Sequence, residues 1–456
     1  LFFFVNGEYD NNVTAGPSAV ARHAESDPWQ VSTGNTHRPL ASELNTLVGF
    51  LNERYGYHPG AYQGYSLDTP GHKVFAQLDW LINSNNSLNI RLSRSRTKAS
   101  NAPSSSTTPF RDYLIYPGNP SEGLSSGRDL SGRTANTGMY FESSRFTQVY
   151  DYTVATAEWD SRWGGLTNLF RLTYAYQDEP REYVGGTFPT VDILKDGALW
   201  ASFGPDPFTA GNLRRVKTFV AVDELQYSWK NHQLMAGIQY ETNEATNGFG
   251  AASNGYYVYS SVDDFYNNSK PAAYGVTFPM NGSGQFLSKM KYNQWSLYVQ
   301  DVISLSQRFR MTAGLRLEVP VYPSLKNNYN AEFAKIKYRN NDGSEQSYST
   351  DQLPDNQVSL SPRIGFNWDV LGNRQLILRG GTGYFVGRMP FVWLVSAVGN
   401  SGCGQYTYYY NKPAEAQYGE PNFHPSVGEQ LHDLNIDAQV SAPSSPTIPD
   451  KDLKLN

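Results

Sequence analysis

Strict alternation of apolar and polar residues is the dominant pattern along this chain. In the segment 234–241, Leu234 and Ile238 fall on one side of an extended chain, while Gln239 and Glu241 fall on the other. A period of two residues indicates a β-strand. Such segments come in pairs separated by short turns, which predicts five hairpins at about 72–98, 146–178, 216–245, 290–320 and 360–387, after a single strand at 1–9.

The lengths of the connections alternate in a regular way. Each turn within a hairpin is short, whereas the connections between hairpins are long and cover about 10–71, 99–145, 179–215, 246–289 and 321–359. In an antiparallel meander, this places every short turn at one edge and every long loop at the other. Outer-membrane barrels have this asymmetry, with long loops on the extracellular side. The pattern predicts an all-β, antiparallel, up-and-down transmembrane β-barrel, of which about eleven strands lie in this chain.

Aromatic residues support a membrane-facing surface. Trp80, Trp163, Trp229 and Trp368 fall close to the short turns, and several tyrosines fall seven to ten residues further along the strands. Two such levels are expected where aromatic rings gather at the two interfaces of a bilayer.

Asp223 conflicts with this pattern, because it shares the parity of Phe219 and Leu225 on the apolar side. We therefore expect a β-bulge near Asp223 that turns the carboxylate inward.

Two local signals stand out in the long loops. From Glu43 to Tyr55, Leu44, Leu47 and Leu51 recur at helical spacing, which predicts a short helix in the first loop. The sequence Asn-Asn-Asp-Gly at 340–343 predicts a hairpin turn in the fifth.

Composition excludes several other classes of protein. The 456 residues carry a formal net charge of −5 without a basic cluster, so nucleic acid is not an expected partner. The single cysteine excludes a disulfide within the chain. The longest apolar run, at 391–398, is far shorter than the roughly 20 residues of a membrane helix.

No catalytic or metal-binding motif is present in the sequence. The seven histidines show neither HExxH nor another metal-ligand spacing, and neither GxSxG nor a phosphate-binding loop occurs. We therefore expect neither an enzyme nor a protein with a cofactor, and we assign no residue to a metal. Calcium binding in the loops by Asp263, Asp264 and Asp342 stays open, although no full EF-type loop is present.

Two groups of residues are candidates for function. The inward strand faces carry arginines that either line a plug or solute path or pair with nearby acids; these are Arg91, Arg171, Arg310, Arg316, Arg363 and Arg379. The loops carry clustered tyrosines that either contact a ligand or partner or pack against other loops; these are Tyr256, Tyr257, Tyr259, Tyr406, Tyr408 and Tyr409.

Several segments resemble a known family. Gln294–Asp301 (QWSLYVQD) and Met311–Glu318 (MTAGLRLE) are similar to the barrel signature of TonB-dependent outer-membrane transporters. Leu360–Phe366 (LSPRIGF), Leu378–Pro390 (LRGGTGYFVGRMP) and the opening Leu1–Tyr9 resemble the Oar-like branch, which is common in Bacteroidetes.

The resemblance implies a 22-stranded barrel in the outer membrane of a Gram-negative bacterium, closed by an N-terminal plug. It also implies import of a large, scarce ligand, which binds at extracellular loops and is moved with energy from the TonB system through that plug. On this basis residues 1–387 are expected to form the N-terminal half of the barrel, and 388–456 an extracellular loop and tail region. The plug and the C-terminal barrel strands are expected to lie outside this chain.

Two alternative functions remain open at this point. One is a surface receptor barrel that holds a lipoprotein or a secreted protein. The other, from a different class, is a secreted soluble β-rich adhesin or polysaccharide-acting enzyme, which would bury the apolar strand faces in a dry core.

Overall fold

A computed structural model describes residues 1–31, 33–105, 132–280, 284–410, 419–436, 441–443 and 445–453. In chain order its strands are β1 (Phe2–Ala15), β2 (Val20–Arg22), β3 (Thr36–Leu40), β4 (Ser66–Asn83), β5 (Asn86–Asn101), β6 (Met139–Tyr140), β7 (Phe146–Trp163), β8 (Leu166–Glu179), β9 (Arg181–Glu182), β10 (Thr190–Lys195), β11 (Ala198–Phe203), β12 (Leu213–Trp229), β13 (His232–Gly248), β14 (Tyr256–Tyr259), β15 (Ala273–Pro279), β16 (Leu287–Ser304), β17 (Phe309–Val321), β18 (Tyr338–Arg339), β19 (Glu345–Gln346), β20 (Ser359–Asp369), β21 (Ile377–Gly383) and β22 (Gln405–Tyr410). The α-helices are α1 (Ala41–Tyr55), α2 (Val262–Tyr266), α3 (Ala331–Ala334), α4 (Phe391–Gly399) and α5 (Val427–His432), and 3₁₀ turns cover Glu142–Ser144 and Lys326–Asn328.

The alternating segments form one large antiparallel sheet, which we call the wall sheet. Its strand order is β1-β4-β5-β7-β8-β12-β13-β16-β17-β20-β21, and β9 pairs with β7. Each long strand therefore lies beside the long strands that precede and follow it in the chain, as the hairpin pattern predicts. Among the described residues, β1 and β21 each pair with one neighbour, so the wall is an open sheet.

One face of the wall sheet is apolar and exposed. Leu234, Ile238, Leu315 and Phe366 are 40%, 41%, 44% and 41% exposed. The tryptophans beside the short turns are exposed as well. A dry core would cover these side chains, so the prediction that the apolar strand faces point outward is confirmed.

The predicted bulge at Asp223 is wrong. The pairing of β12 with β8 and with β13 continues through this position without a shift, and Asp223 stays opposite Phe170 and Ile238 on the outward face. Its carboxylate is stabilised instead by the side-chain amide of Asn168, which donates a hydrogen bond of 2.6 Å. A hydrogen bond from Asn168 therefore stabilises the carboxylate where we expected a β-bulge.

The long loops build a second sheet, which we call the loop sheet. Its strand order is β22-β15-β14-β10-β11-β6, with parallel pairing of β10 to β14 and of β11 to β6. The strands come from different loops: β6 from the second, β10 and β11 from the third, and β14 and β15 from the fourth. β22 follows the last wall strand in the chain. The loops are thus parts of one folded unit.

The predicted helix in the first loop is confirmed as α1. Leu44, Leu47 and Leu51 are fully buried and join the hydrophobic core of the loop sheet. The helix ends where Gly56 adopts a left-handed conformation with a φ of 63°, which suits glycine. The predicted hairpin turn at 340–343 is also confirmed, between β18 and β19.

Helix α4 lies against the inward face of the wall sheet. Leu394 is fully buried in a cluster with Met290 and Tyr292 of β16. Before the helix, the guanidinium of Arg388 donates two hydrogen bonds to the carboxylate of Glu241 on β13, at 2.8 and 2.7 Å. The chain after β21 therefore turns back toward the inner face of the wall.

In the part of the chain that the structure describes, none of the helices combines the length and apolar character needed to cross a bilayer.

Candidate functional site

The structure brings the two predicted tyrosine groups together in the loop sheet. Tyr256, Tyr257 and Tyr259 lie on β14, and the 406–410 segment forms β22, which is separated from β14 by β15 alone. The ring of Tyr274 on β15 lies between the groups, with its centroid 4.6 Å from that of Tyr257 and 6.3 Å from that of Tyr408.

These tyrosines differ in how much of each side chain is accessible. Tyr256, Tyr257, Tyr259 and Tyr408 are buried, Tyr406 is half-buried, and Tyr409 is 37% exposed. Burial raises the pKa of the Tyr257 and Tyr259 phenols well above the ordinary value, so both stay neutral. The buried rings pack loop against loop, and ligand contact by this group stays a prediction.

A cleft of about 400 Å³ opens beside the loop sheet, between α1, α2 and the turn from β10 to β11. Its lining includes Lys195, Trp200, Asp263 and Tyr266. The ammonium of Lys195 lies 3.2 Å from Glu43 of α1. Among the described residues, the carboxylate of Asp263 has neither a hydrogen bond nor an ion pair, so it remains available to a ligand.

A second, more polar cleft of about 550 Å³ is lined by Arg22, Asp27 and Trp29. Lys195 lines this cleft too, so one lysine borders both spaces. Volumes of several hundred Å³, with aromatic walls and a few polar groups, are typical of sites for small molecules or for parts of larger ligands. The two clefts are the strongest candidate binding surface among the described loops.

The predicted arginines lie on the inward face of the wall sheet, opposite in parity to its exposed apolar residues. Arg171 contacts Glu158 at 2.5 Å, and Arg91 lies 3.7 Å from the same carboxylate. Arg316 pairs with Glu318 at 3.1 Å. Arg363 lies over the ring of Phe385, at 4.7 Å from its centroid.

Arg310 and Arg379 differ from the other arginines. Both stand opposite Asn367 in one cross-strand row. They are exposed, and neither forms an ion pair with any described residue. Ion pairs with nearby glutamates therefore account for some of the inward arginines, while the charges of Arg310 and Arg379 remain available. Contact with a plug or solute remains a prediction.

Within the described ranges, no group of three histidine, cysteine, aspartate or glutamate residues is arranged to hold a metal ion.

The sequence did not identify the residues of the two clefts. Lys195 and Glu43 are 152 positions apart and meet only because α1 packs against the loop sheet. A periodic pattern records which face of an element is buried, but it does not record which loops meet. The one available signal was Trp200, a tryptophan inside a long loop.

We expect the loop sheet to lose stability on acidification because of His37. The ring is buried, and its Nδ1 lies 2.7 Å from the carbonyl oxygen of Gly138. Burial lowers the pKa of His37 below the ordinary 6.5, although the contact with Gly138 opposes this. As the pH falls below about 6.5, the unfolded state binds the proton first, so the free energy of unfolding decreases. Urea unfolding of the full-length protein at pH 7.5 and pH 5, followed by tryptophan fluorescence, measures this.

The control variant is His37→Gln, whose side-chain amide still donates to Gly138 but does not titrate. It is expected to show a weaker pH dependence between the same two conditions. An identical dependence in both proteins would contradict the assignment to His37.

Solved structures with a similar chain course are outer-membrane proteins. The outer membrane transporter YddB from Escherichia coli shares 11% identity, with a TM-score of 0.49, and the match covers 76% of this chain and 35% of that one. The ferric-catecholate import receptor Fiu from E. coli K12, in its open form, shares 12% identity, with a TM-score of 0.38, and the match covers 73% and 49%. This chain thus spans about a third to a half of their lengths. No curated protein matches this chain.

A family match covers nearly the whole chain. Residues 10–454 match the family described as "Outer membrane beta barrel domain". This places the protein in the outer membrane and accounts for the exposed apolar face of the wall sheet, which lies against lipid. A secreted soluble protein, one of the alternatives left open by the sequence, does not fit this location. The chain belongs to the outer membrane beta-barrel domain family.

Proposed function

We propose that this chain forms part of an outer-membrane transporter of the TonB-dependent type. It imports a large, scarce ligand that first binds the long loops on the extracellular side. The observation that carries the proposal is the one-sided architecture: the described parts of the long loops lie at one edge of the wall, and several of them fold together into the loop sheet. A barrel that served only as an anchor would not need a folded binding surface of this kind.

The clefts beside Lys195 are the proposed first contact for the ligand. They combine aromatic rings, hydroxyl groups and ionic groups on one rigid unit, which suits recognition without large ordering costs. Arg310 and Arg379, without ion pairs among the described residues, are proposed to face the plug or the passing ligand. No bond is made or broken in this mechanism, because the work consists of binding and energy-driven release.

The rest of the transporter follows from the same proposal. The open edges at β1 and β21 are closed by further barrel strands outside residues 1–387, and a plug within the barrel receives energy from the TonB system. The 388–456 region contributes to the extracellular side through β22, although 411–418, 437–440, 444 and 454–456 lie outside the described residues. We also propose membership of the Oar-like branch, on the strength of segments 360–366 and 378–390.

An uptake experiment tests this function. Cells that produce the full-length protein are given a panel of ⁵⁵Fe-loaded siderophores, fluorescent peptides and fluorescent oligosaccharides. At least one probe is expected to accumulate, and loss of TonB or a protonophore should abolish accumulation while surface binding persists. Accumulation that continues without TonB would contradict the proposal.

A matched pair of variants links uptake to the clefts. Lys195→Ala is expected to weaken surface binding of the accumulated probe by about tenfold, as loss of a central contact residue does. Lys335→Ala removes a lysine directly after α3 that forms a surface ion pair with Glu332 at 2.7 Å. This control should bind the probe like the natural protein.

A second candidate function is a surface receptor barrel that holds a lipoprotein or a secreted protein. The observation in its favour is that β22 is an edge strand of the loop sheet and carries the exposed ring of Tyr409. An extended segment of a partner could add a strand there. Stable co-purification of one partner from cells, lost on Tyr409→Pro, together with no TonB-dependent uptake, would favour this function.

A further inference from the structure

Two cross-strand rows on the outward face of the wall sheet lie close to the short turns. The strands β12, β13, β16, β17 and β20 keep an unbroken register here, so side chains of one row stand side by side. The row Leu225, Ala236, Val299 and Leu315 is followed, toward the short turns, by the row Tyr227, Leu234, Asp301, Ala313 and Ile364.

These rows surround a hollow in the lipid-facing surface. Ala236 and Ala313 are short, while neighbours such as Leu225, Val299 and Leu315 are long and partly exposed. The space between them is about 700 Å³. A second hollow of about 470 Å³ shares several of the same residues and continues toward the long loops. Together they form an elongated, mostly apolar depression with the volume of a ligand site. The one acid in the lining of the second hollow is Asp223, which accepts a hydrogen bond from Asn168.

The end of the depression near the short turns carries charge. Asp301 lines the larger hollow, and one of its carboxylate oxygens lies 2.6 Å from Nδ1 of His232. Its other oxygen, Oδ1, is buried and has no hydrogen-bond partner among the described residues. A carboxylate on the lipid-facing side of a barrel is unfavourable unless partners compensate it. His232 compensates one oxygen of Asp301, and Oδ1 is the atom that still lacks a partner.

A lysine and a tryptophan show where this charged end lies relative to the bilayer. Trp229 stacks on His232, with ring centroids 5.7 Å apart, and the ammonium of Lys230 lies 4.9 Å from the centre of the tryptophan ring. Tryptophan gathers at the level of lipid head groups. The apolar hollow therefore extends from the head-group level into the hydrocarbon region, with an acid and a base at its polar end.

We infer that this depression is a binding site for one aminophospholipid of the periplasmic leaflet. Its acyl chains fill the hollows, its ammonium group lies near Asp301, and its phosphate lies near Lys230. The short turns of such barrels face the periplasm, which makes the lipids of that leaflet the available occupants. A zwitterionic head group matches both charges, whereas an anionic head group without an amine satisfies only the lysine. The inference rests on the outer-membrane location and not on the transported ligand.

Lipid retention tests this site. The full-length protein is reconstituted in nanodiscs that contain equal amounts of phosphatidylethanolamine and phosphatidylglycerol, then released into mild detergent and examined by native mass spectrometry. The natural protein is expected to retain one phosphatidylethanolamine molecule in preference to phosphatidylglycerol. Asp301→Asn should reduce this preference about fivefold, as loss of one charge contact near a membrane surface does.

A matched pair of variants separates the hollow from general lipid contact. Ala236→Leu places a longer side chain where the two hollows meet and should strongly reduce retention of the lipid. Ala157→Leu makes the same change on the outward face of β7, opposite Ile90 and Leu172, and should retain the lipid like the natural protein. All three variants must keep the heat-modifiable band of a folded barrel. Equal retention of both lipids by the natural protein, or equal retention by the two alanine variants, would overturn the inference.

Discussion

Replacement of Arg133 with methionine is expected to destabilise the loop sheet by roughly 3–5 kcal/mol, the usual cost of removing one partner from a buried ion pair. Arg133 is fully buried, and its guanidinium lies 2.8 Å from the carboxylate of Asp192 on β10. It also lies 5.0 Å from the ring centre of Tyr256 on β14. Without the cation, a carboxylate that is 1% exposed remains in the core. Hydrogen exchange of β10, β11 and β14 in the full-length protein measures the loss.

Two further variants show whether charge is the cause. Arg339→Met removes an exposed arginine from the β18–β19 hairpin and should leave exchange in the loop sheet unchanged. Arg133→Met combined with Asp192→Leu removes both charges and should recover much of the loss, because no uncompensated carboxylate remains. If the double variant were no more stable than Arg133→Met alone, the lost packing of the arginine would be the main effect.

The ion pair matters because it joins loops that are far apart in sequence. Arg133 precedes β6 in the second long loop, whereas Asp192 belongs to the third. Asp192 also accepts hydrogen bonds from Ser202 and Tyr256, each of 2.6 Å. Loss of this centre should therefore impair ligand binding at the clefts while leaving the wall sheet folded.

The wall sheet was predictable because its information is local. Each strand has one face in lipid and one in a wet interior, which forces alternation of apolar and polar residues along the strand itself. The observed strands nevertheless extend further toward the long loops than predicted. β13 reaches Gly248 instead of 245, and β1 reaches Ala15 instead of 9. The added ends carry consecutive polar residues, such as Asp10, Asn11 and Asn12 on β1 and Thr246 and Asn247 on β13, so alternation no longer marks the strand there.

The loop sheet was not predictable by the same means. Its strands are short and pair over long distances in sequence, as when Tyr274 of β15 pairs with Tyr410 of β22. Nothing local specifies such partners. The sequence predicts clustered loop tyrosines at 256–259 and 406–410, whereas the structure has strands β14 and β22 there. Helix α1 was predictable, because its buried leucines recur at helical spacing within one continuous segment.

Asp223 shows the opposite limitation. The parity rule assigned its face correctly, but the expected repair was a backbone bulge. The structure uses Asn168 on the neighbouring strand, a partner that parity within β12 could not reveal. The pattern along one strand shows on which face a residue lies. The residue that stabilises a buried or lipid-facing charge there can belong to the neighbouring strand.

Replacement of Arg388 with methionine is expected to release α4 from the inner face of the wall sheet. Glu241 is 2% exposed, and Arg388 contacts both of its carboxylate oxygens. Loss of the cation leaves this carboxylate with neutral donors such as the amide of Asn243, at 2.8 Å. The expected cost is about 3 kcal/mol, at the lower end for broken buried pairs because the arginine is half-exposed. Hydrogen exchange over 388–399 in the full-length protein measures the release.

Two further variants show whether the pair of hydrogen bonds from Arg388 to Glu241 holds residues 388–399 in place. Arg388→Lys keeps the charge but offers a single compact donor group, so exchange over 388–399 should lie between that of the natural protein and that of Arg388→Met. Arg379→Met removes an exposed arginine from the same face, without an ion pair among the described residues, and should leave α4 protected. Unchanged protection of α4 in Arg388→Met would mean that burial of Leu394 alone holds the helix in place. The ion pair would then serve only to neutralise Glu241.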